Sequence, residues 1–153
     1  MRIVKILMVV LLLGFIVMLS LNTTSSKPAS SVEKDLLDVM NEQLRTKGSF
    51  KELKRFYGLY GEDYDSFVVY APKSAMDAED LLVVKANTPE QADAVMDAVD
   101  KRIADQIRIF EGYGEKQVGL LKDAHIRREG NYVFYAVGKD AEALEKAFKE
   151  SVR

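Results

Sequence analysis

The segment that most constrains the fold is a strand followed at once by a long amphipathic helix, over residues 80–110. Residues 81–86 (LLVVKA) are so apolar that the predicted strand needs cover on both faces or a place in the middle of a sheet. Thr88 and Pro89 then mark a helix start, with threonine as the cap, proline at the first helical position and Gln91 completing a capping box. The helix is predicted to lie on a sheet, because one of its sides is apolar and the other is charged. The apolar side carries Ala92, Val95, Met96, Val99, Ile103, Ile107 and Phe110.

The rest of the chain beyond residue 30 alternates helical and strand patterns. Helices are predicted over residues 32–44, 49–57, 115–123 and 141–152, and strands over residues 66–71, 125–129 and 132–137. Gly130 and Asn131 predict a two-residue hairpin turn between the last two strands. This order predicts an α+β domain with a four-stranded, mainly antiparallel sheet that helices pack on one face. It also suggests a weak ββα repeat.

Residues 1–21 predict a transmembrane signal-anchor. Arg2 and Lys5 lie at the start of an apolar run of about 19 residues, or about 28 Å as a helix, which just spans a hydrocarbon core of roughly 30 Å. A cleaved signal peptide is the alternative, but its apolar core is usually about 7–15 residues long. In both cases the basic end stays in the cytoplasm, so we expect a single-pass protein of the cell membrane whose C-terminal part is extracytoplasmic. Residues 22–30 (NTTSSKPAS) predict a flexible linker, and residues 31–153 form the extracytoplasmic domain.

Composition excludes several classes of function. The formal charge is −2 and there is no long basic run, which disfavours nucleic acid as a partner. The chain has no cysteine, so it has no disulfide, no thiolate metal site and no cysteine nucleophile. His125 is the only histidine, and without a second histidine or a cysteine it has no partners for the usual zinc sites.

No pattern in the sequence indicates catalysis. The acidic residues of 61–66 (GEDYDS) lack the spacing and glycine of a calcium loop, and Asp77, Glu79 and Asp80 are better explained as a solvated loop. There is no Gly-x-Ser-x-Gly elbow, phosphate-binding loop or dinucleotide fingerprint. No catalytic residue, metal site or cofactor is therefore predicted.

Tyrosines give the most suggestive pattern for binding. Tyr57, Tyr60 and Tyr64 fall in or beside one loop, and Tyr113 lies at the break after the long helix. Tyrosine on loops suits protein interfaces and the faces of sugars. The alternative is that these rings are partly buried beneath the loops of a small core.

Four segments resemble a known bacterial family. They are DYDSFVVY (residues 63–70), DLLVVK (residues 80–85), IRIFEGYGEKQVGLLKDA (residues 107–124) and GNYVFYAV (residues 130–137). The family is catalogued only as a domain of unknown function, found in small exported or membrane-anchored proteins of Gram-positive anaerobes. Its most specific piece is FEGYG (residues 110–114) followed by Gln117, which joins the candidate binding residues; members often have proline at or next to Lys116, and this chain does not. The resemblance implies an extracytoplasmic location and no established activity.

The sequence therefore leaves three functional hypotheses. The first is a non-enzymatic module, held in the membrane by residues 1–21, that binds another envelope protein or a wall component. The second is a small hydrolase of envelope material, which needs two acids in a cleft with one shifted pKa. The third is a small-ligand sensor, which needs an apolar pocket.

Overall fold

The computed structural model describes the backbone of residues 2–21 and 25–153 and the side chains of residues 5–15 and 25–153. Helix α1 spans Arg2–Leu21, and its side chains at residues 5–15 are exposed. Within the described part of the chain, no helix is long and apolar enough to cross a membrane. The predicted anchor (residues 1–21) and linker (residues 22–30) lie partly outside the described residues, so this division of the chain stays a prediction.

Five further helices and five strands follow in the described chain. The helices are α2 (Ala29–Leu37), α3 (Phe50–Tyr57), α4 (Pro89–Phe110), α5 (Glu115–Lys122) and α6 (Ala141–Ser151). The strands are β1 (Arg45–Lys47), β2 (Ser66–Pro72), β3 (Leu81–Lys85), β4 (His125–Glu129) and β5 (Tyr132–Ala136), and a short 3₁₀ turn covers Gly61–Asp63.

The strands form one antiparallel sheet in the order β1-β2-β3-β5-β4. The predicted α+β class and antiparallel pairing are confirmed, but the predicted four strands are wrong because β1 adds a fifth. The helix expected over residues 32–44 ends at Leu37, and the chain then returns to the sheet edge, where Arg45 pairs with Pro72. Arg45 is buried in an ion pair with Asp140, a contact distant in sequence that no local pattern records.

Helices cover both faces of the sheet, so the prediction of helices on one face is wrong. Helices α3, α4 and α5 pack on one face, which includes Val69, Leu82 and Tyr135. Helices α2 and α6 pack on the other face, which includes Val83 and Phe134. The buried character of β3 and β5 follows, because these central strands have apolar neighbours above and below.

The predicted ββα order occurs twice along the chain, but the two units are not related by symmetry. The chain does contain two strand–strand–helix units, β2-β3-α4 and β4-β5-α6, whose second strands are antiparallel neighbours. A twofold axis between such neighbours would place both helices on the same face of the sheet. Because α4 and α6 lie on opposite faces, the two units have opposite hand and are not copies of one another.

The long helix α4 begins as predicted. The Thr88 hydroxyl accepts a hydrogen bond from the Gln91 amide at 3.2 Å, and Pro89 occupies the first turn. The Gln91 side chain also donates to the Asp63 carbonyl at 2.9 Å, which fixes the start of α4 to the 3₁₀ turn. Along its 22 residues, α4 then carries Arg102 and Phe110 to the opposite end of the sheet.

Candidate functional site

A cleft of about 440 Å³ opens between the C-terminal end of α3, the loop that joins β2 to β3, and the second half of α4. Its lining combines cationic, polar and apolar side chains: Arg55, Phe56, Pro72, Lys73, Ser74, Ala75, Asp77, Arg102, Gln106 and Ile109. A neighbouring cleft of about 290 Å³ between α3 and α4 shares Arg55, Phe56 and Arg102. We refer to the cleft of about 440 Å³ as the α3–α4 cleft.

The α3–α4 cleft carries an excess of positive charge. Arg55 and Lys73 are exposed, and within residues 25–153 neither takes part in an ion pair. The carboxylate of the lining, Asp77, accepts a hydrogen bond from the Ser74 hydroxyl at 2.8 Å. Two cations are therefore available to an anionic ligand, while Asp77 holds the shape of the loop.

Arg102 forms the floor of the cleft and is held in one position. Its Nε donates to Asp80 Oδ2 at 3.0 Å, and the ring of Phe56 lies 4.6 Å from the guanidinium carbon. Burial lowers the pKa of Arg102, but the adjacent Asp80 carboxylate offsets this and the net pKa is raised. Burial raises the pKa of Asp80, and the charge of Arg102 opposes that shift without cancelling it. Arg102 is thus a fixed, largely buried cation that pairs with Asp80 and whose outer edge reaches the cleft.

Two tyrosine hydroxyls lie close to this pair. The side-chain oxygens of Tyr57 and Tyr135 are buried and have no hydrogen-bond partner in the described part of the chain. Burial raises the pKa of both phenols well above the usual value, and the negative charge of Asp80 adds to the effect. Both tyrosines are therefore neutral phenols beside the Asp80–Arg102 pair.

Behind the pair, Arg45 joins three parts of the fold. Its two terminal nitrogens donate to the Asp140 carboxylate at 2.7 and 2.8 Å, and one also donates to the Val137 carbonyl at 2.7 Å. Burial raises the pKa of Asp140, but its bonds to Arg45 outweigh this, and the net pKa is lowered. Gly138 allows the close approach, because a Cβ there would lie 2.7 Å from the guanidinium. Arg45 stabilises the fold and does not line the cleft.

The tyrosines predicted to bind do not share one surface. Tyr57 is buried, Tyr64 is half-buried, and Tyr60 is exposed with the Lys54 ammonium 4.7 Å from its ring. Tyr64 follows Asp63, which contacts the start of α4, whereas exposed Tyr113 follows the end of that helix. A 22-residue helix is about 33 Å long, so Tyr64 and Tyr113 lie at opposite ends of the domain.

Gln117, the remaining candidate binding residue, bonds within the protein. Its amide donates to the Met76 carbonyl at 2.9 Å and so fixes the β2–β3 loop to α5. Gln117 thus supports a wall of the α3–α4 cleft without lining it. The binding roles predicted for it and for the tyrosines stay predictions.

A second concave surface, of about 580 Å³, lies beside α6 and contains His125, Glu142 and Glu145. Glu145 accepts from His125 at 2.7 Å and from Arg127 at 2.8 Å, and pairs with Lys149 at 2.9 Å. Burial acts to raise the pKa of Glu145, but these partners outweigh it and lower the pKa to about 2. A general acid requires a raised pKa, so Glu145 does not suit that role in glycan hydrolysis. Within the described residues, no group of three or more His, Cys, Asp or Glu side chains could hold a metal ion.

Sequence reasoning missed Arg102 and Asp80. The sequence favours a solvated loop for Asp80, but this residue lies directly before β3 and is buried. Arg102 follows Val99 by three residues and so falls on the apolar stripe of α4, where a charged residue needs a buried partner. A charged residue on the apolar stripe of α4 was the sequence signal that could have indicated a buried ion pair.

Comparison with known proteins gives one family. Its sequence model, DUF4358, described as a domain of unknown function, matches residues 38–138, which is more than half of the chain. The chain belongs to the DUF4358 family. No curated protein and no solved structure matches it. The match confirms the expected family of unknown function, whereas the bacterial group and export implied by the resemblance stay predictions. The DUF4358 region contains the whole α3–α4 cleft and ends before α6.

Proposed function

We propose that this DUF4358 protein is a membrane-tethered, extracytoplasmic binding module whose α3–α4 cleft takes an acidic segment of another envelope protein. One observation carries the proposal: Arg55, Lys73 and Arg102 converge on a cleft whose carboxylate, Asp77, is already bonded to Ser74. Ionised donors bind carboxylates through charge-assisted hydrogen bonds, which are about twice as strong as neutral ones.

The apolar part of the lining favours a protein segment over a phosphate-rich wall polymer. Phe56, Pro72 and Ile109 line the same cleft as the cations. Met76, in the β2–β3 loop, is 58% exposed, and Ile109 is 53% exposed. A peptide that alternates acidic and apolar side chains satisfies both features, whereas a polyol phosphate leaves the apolar surface in contact with water.

Arg102 adds affinity because it is already ordered. Asp80 and Phe56 fix its guanidinium, so binding costs little side-chain entropy at this residue. When the Gln106 amide is turned so that its oxygen faces the guanidinium, it accepts from Nη2 at 3.2 Å. An incoming carboxylate can replace this neutral acceptor with a charged one.

The tether is proposed from the sequence of residues 1–21. Its apolar run of about 19 residues suits the hydrocarbon core of a bilayer, and Arg2 and Lys5 favour a cytoplasmic start. The protein is then a single-pass cell-membrane protein with lipid around residues 1–21 and its domain extracytoplasmic.

The other two hypotheses have weaker support. Hydrolysis requires two accessible acids with one raised pKa, but Asp80, whose pKa is raised, is buried against Arg102. A sensor for a small apolar ligand requires an enclosed apolar pocket, and the α3–α4 cleft is lined by three cations.

A displayed library of random 12-residue peptides tests the proposal against full-length protein in lipid nanodiscs. The cleft variant combines Arg55→Glu and Lys73→Glu, and the control combines Lys122→Glu and Lys146→Glu, two exposed lysines outside the cleft. Selected peptides should be enriched in Asp and Glu beside apolar residues. They should bind the cleft variant at least about tenfold more weakly, or about 1.4 kcal/mol, and the control within about twofold. Peptides without acidic enrichment, or equal losses in both variants, would contradict the proposal.

A further inference from the structure

The chain is bound to the domain just before α2 and at the first residue of that helix. We call residues 25–29 the strap. The hydroxyl of Tyr132 donates to the carbonyls of Ser25, at 3.2 Å, and of Lys27. The Ala29 amide donates to the Ser66 hydroxyl at 2.9 Å, and Ala29 is fully buried. Residues that precede a domain are usually poorly ordered unless contacts hold them. These hydrogen bonds therefore distinguish the strap from the flexible linker predicted for this segment.

Further bonds hold the strap at several points. Lys85 Nζ donates to the Ser26 carbonyl at 2.8 Å, and the Ser25 amide donates to the Val152 carbonyl at 3.3 Å. The residues that hold the strap come from β2, β3, β5 and the C-terminal end of α6 with its cap: Ser66, Lys85, Tyr132, Ser151 and Val152. Four elements of the fold therefore fix the direction in which the chain enters the domain.

All these contacts lie at one end of the sheet. Ser66 begins β2 and pairs with Lys85 at the end of β3, and Tyr132 begins β5 opposite Lys85. Helix α4 also starts at this end, just after β3. We call it the entry end of the domain.

The α3–α4 cleft lies toward the other end. Its β2–β3 loop follows Pro72, the last residue of β2, and its α4 residues belong to the second half of that helix. At about 3.3 Å per residue, the seven residues of β2 advance about 20 Å from the entry end. The loop side of the cleft is therefore about 20 Å from the strap.

The number of residues between α1 and the strap limits how far apart the two can lie. Residues 22–24 separate Leu21, the last residue of α1, from Ser25. Even a fully extended chain covers at most about 14 Å over these four steps. If α1 is the membrane tether, the entry end cannot move far from the bilayer.

We infer that the strap fixes the entry end of the domain against the membrane and points the α3–α4 cleft away from it. The inference rests on the proposed tether and deepens the proposed function, because it defines the partner more closely. The acidic segment comes from a protein whose binding region stands well above the bilayer, such as an extracytoplasmic domain. A segment that starts at the bilayer would need about six or more extended residues to cover the roughly 20 Å to the cleft.

Energy transfer from single-cysteine labels to acceptor-labelled lipid headgroups tests this geometry. The chain has no native cysteine, so full-length Glu90→Cys and Ala75→Cys proteins report on the entry end and the cleft, and both positions are exposed. In liposomes we expect the transfer efficiency at residue 90 to be at least about twofold that at residue 75. A 30-residue Gly-Ser insertion between residues 24 and 25 should bring the two efficiencies close together.

Equal efficiencies without the insertion, or a higher value at residue 75, would overturn the inference. A protein that fails to incorporate into liposomes would overturn the tether and this inference together. A clear difference between the labels in a protein that selects no acidic peptides would support the orientation and reject only the proposed function of the cleft.

Discussion

Asp80 and Arg102 connect the core to the candidate site at the scale of single residues. Both are at least nine-tenths buried, and each supplies the counter-charge that the other needs in a poorly hydrated interior. The cost of burying two ions is offset only while both partners are present. Because Arg102 also lines the α3–α4 cleft, the stability of the fold and the position of a binding cation depend on one contact.

Removal of the Asp80 charge should therefore destabilise the domain strongly. We expect Asp80→Asn to lose about 3–5 kcal/mol of unfolding free energy, because Arg102 keeps its charge without its partner. Urea unfolding of the full-length protein in detergent, followed by near-ultraviolet circular dichroism of its tyrosines, measures the loss. The matched control is Asp93→Asn, whose side chain is 68% exposed and pairs with Arg128; it should change stability by less than about 1 kcal/mol. Equal stability of the two variants would contradict the role given to the pair.

The elements show how much of the fold local sequence determines. The long helix α4 and its cap were predictable because Thr88, Pro89 and the apolar stripe each indicate a helix by local chemistry. Strand β1 was not, because its three residues depend on pairing with β2 and on the bond from Arg45 to Asp140. Short segments of this kind are decided by contacts distant in sequence, which periodicity does not record.

Two glycines near α5, Gly119 and Gly112, differ in backbone conformation and should respond differently to substitution by alanine. Gly119 is exposed within α5, and a Cβ there would meet nothing within 4 Å. Because glycine costs about 0.5–1 kcal/mol relative to alanine in a helix interior, Gly119→Ala should stabilise the protein by about that amount. Urea unfolding of the full-length protein measures the change.

Gly112 is the control. A Cβ there would also meet nothing within 4 Å, but the φ of Gly112 is +93°. In that backbone region an L side chain is strained, and Gly112→Ala should destabilise the protein by about 1 kcal/mol or more. A change of stability in the same direction for both substitutions would contradict the positive φ of Gly112 or the helical conformation of Gly119.

For the whole molecule, the covering of both sheet faces determines where a ligand can bind. The apolar run of β3 predicted cover on both faces or a place in the middle of a sheet, and β3 has both, whereas the prediction of helices on one face was wrong. The region shared with the DUF4358 family includes the sheet and helices α3, α4 and α5, whereas α2 and α6 lie outside the matched residues. The candidate site thus falls on the face of the sheet that the family shares. The cleft itself could not be predicted, because its lining residues come from three separate segments of the chain.

Photo-cross-linking in cells tests whether the α3–α4 cleft binds an acidic segment of another protein. A photoreactive residue replaces Ala75 in the cleft, and a reference probe replaces Ala143, which is exposed on α6 at the opposite face. We expect the probe at 75 to capture a protein through an acidic segment and Arg55→Glu with Lys73→Glu to abolish the capture. The probe at 143 should not capture that segment. Capture at 75 that persists after the charge reversal, or through a segment without acidic residues, would contradict the proposed function of the cleft.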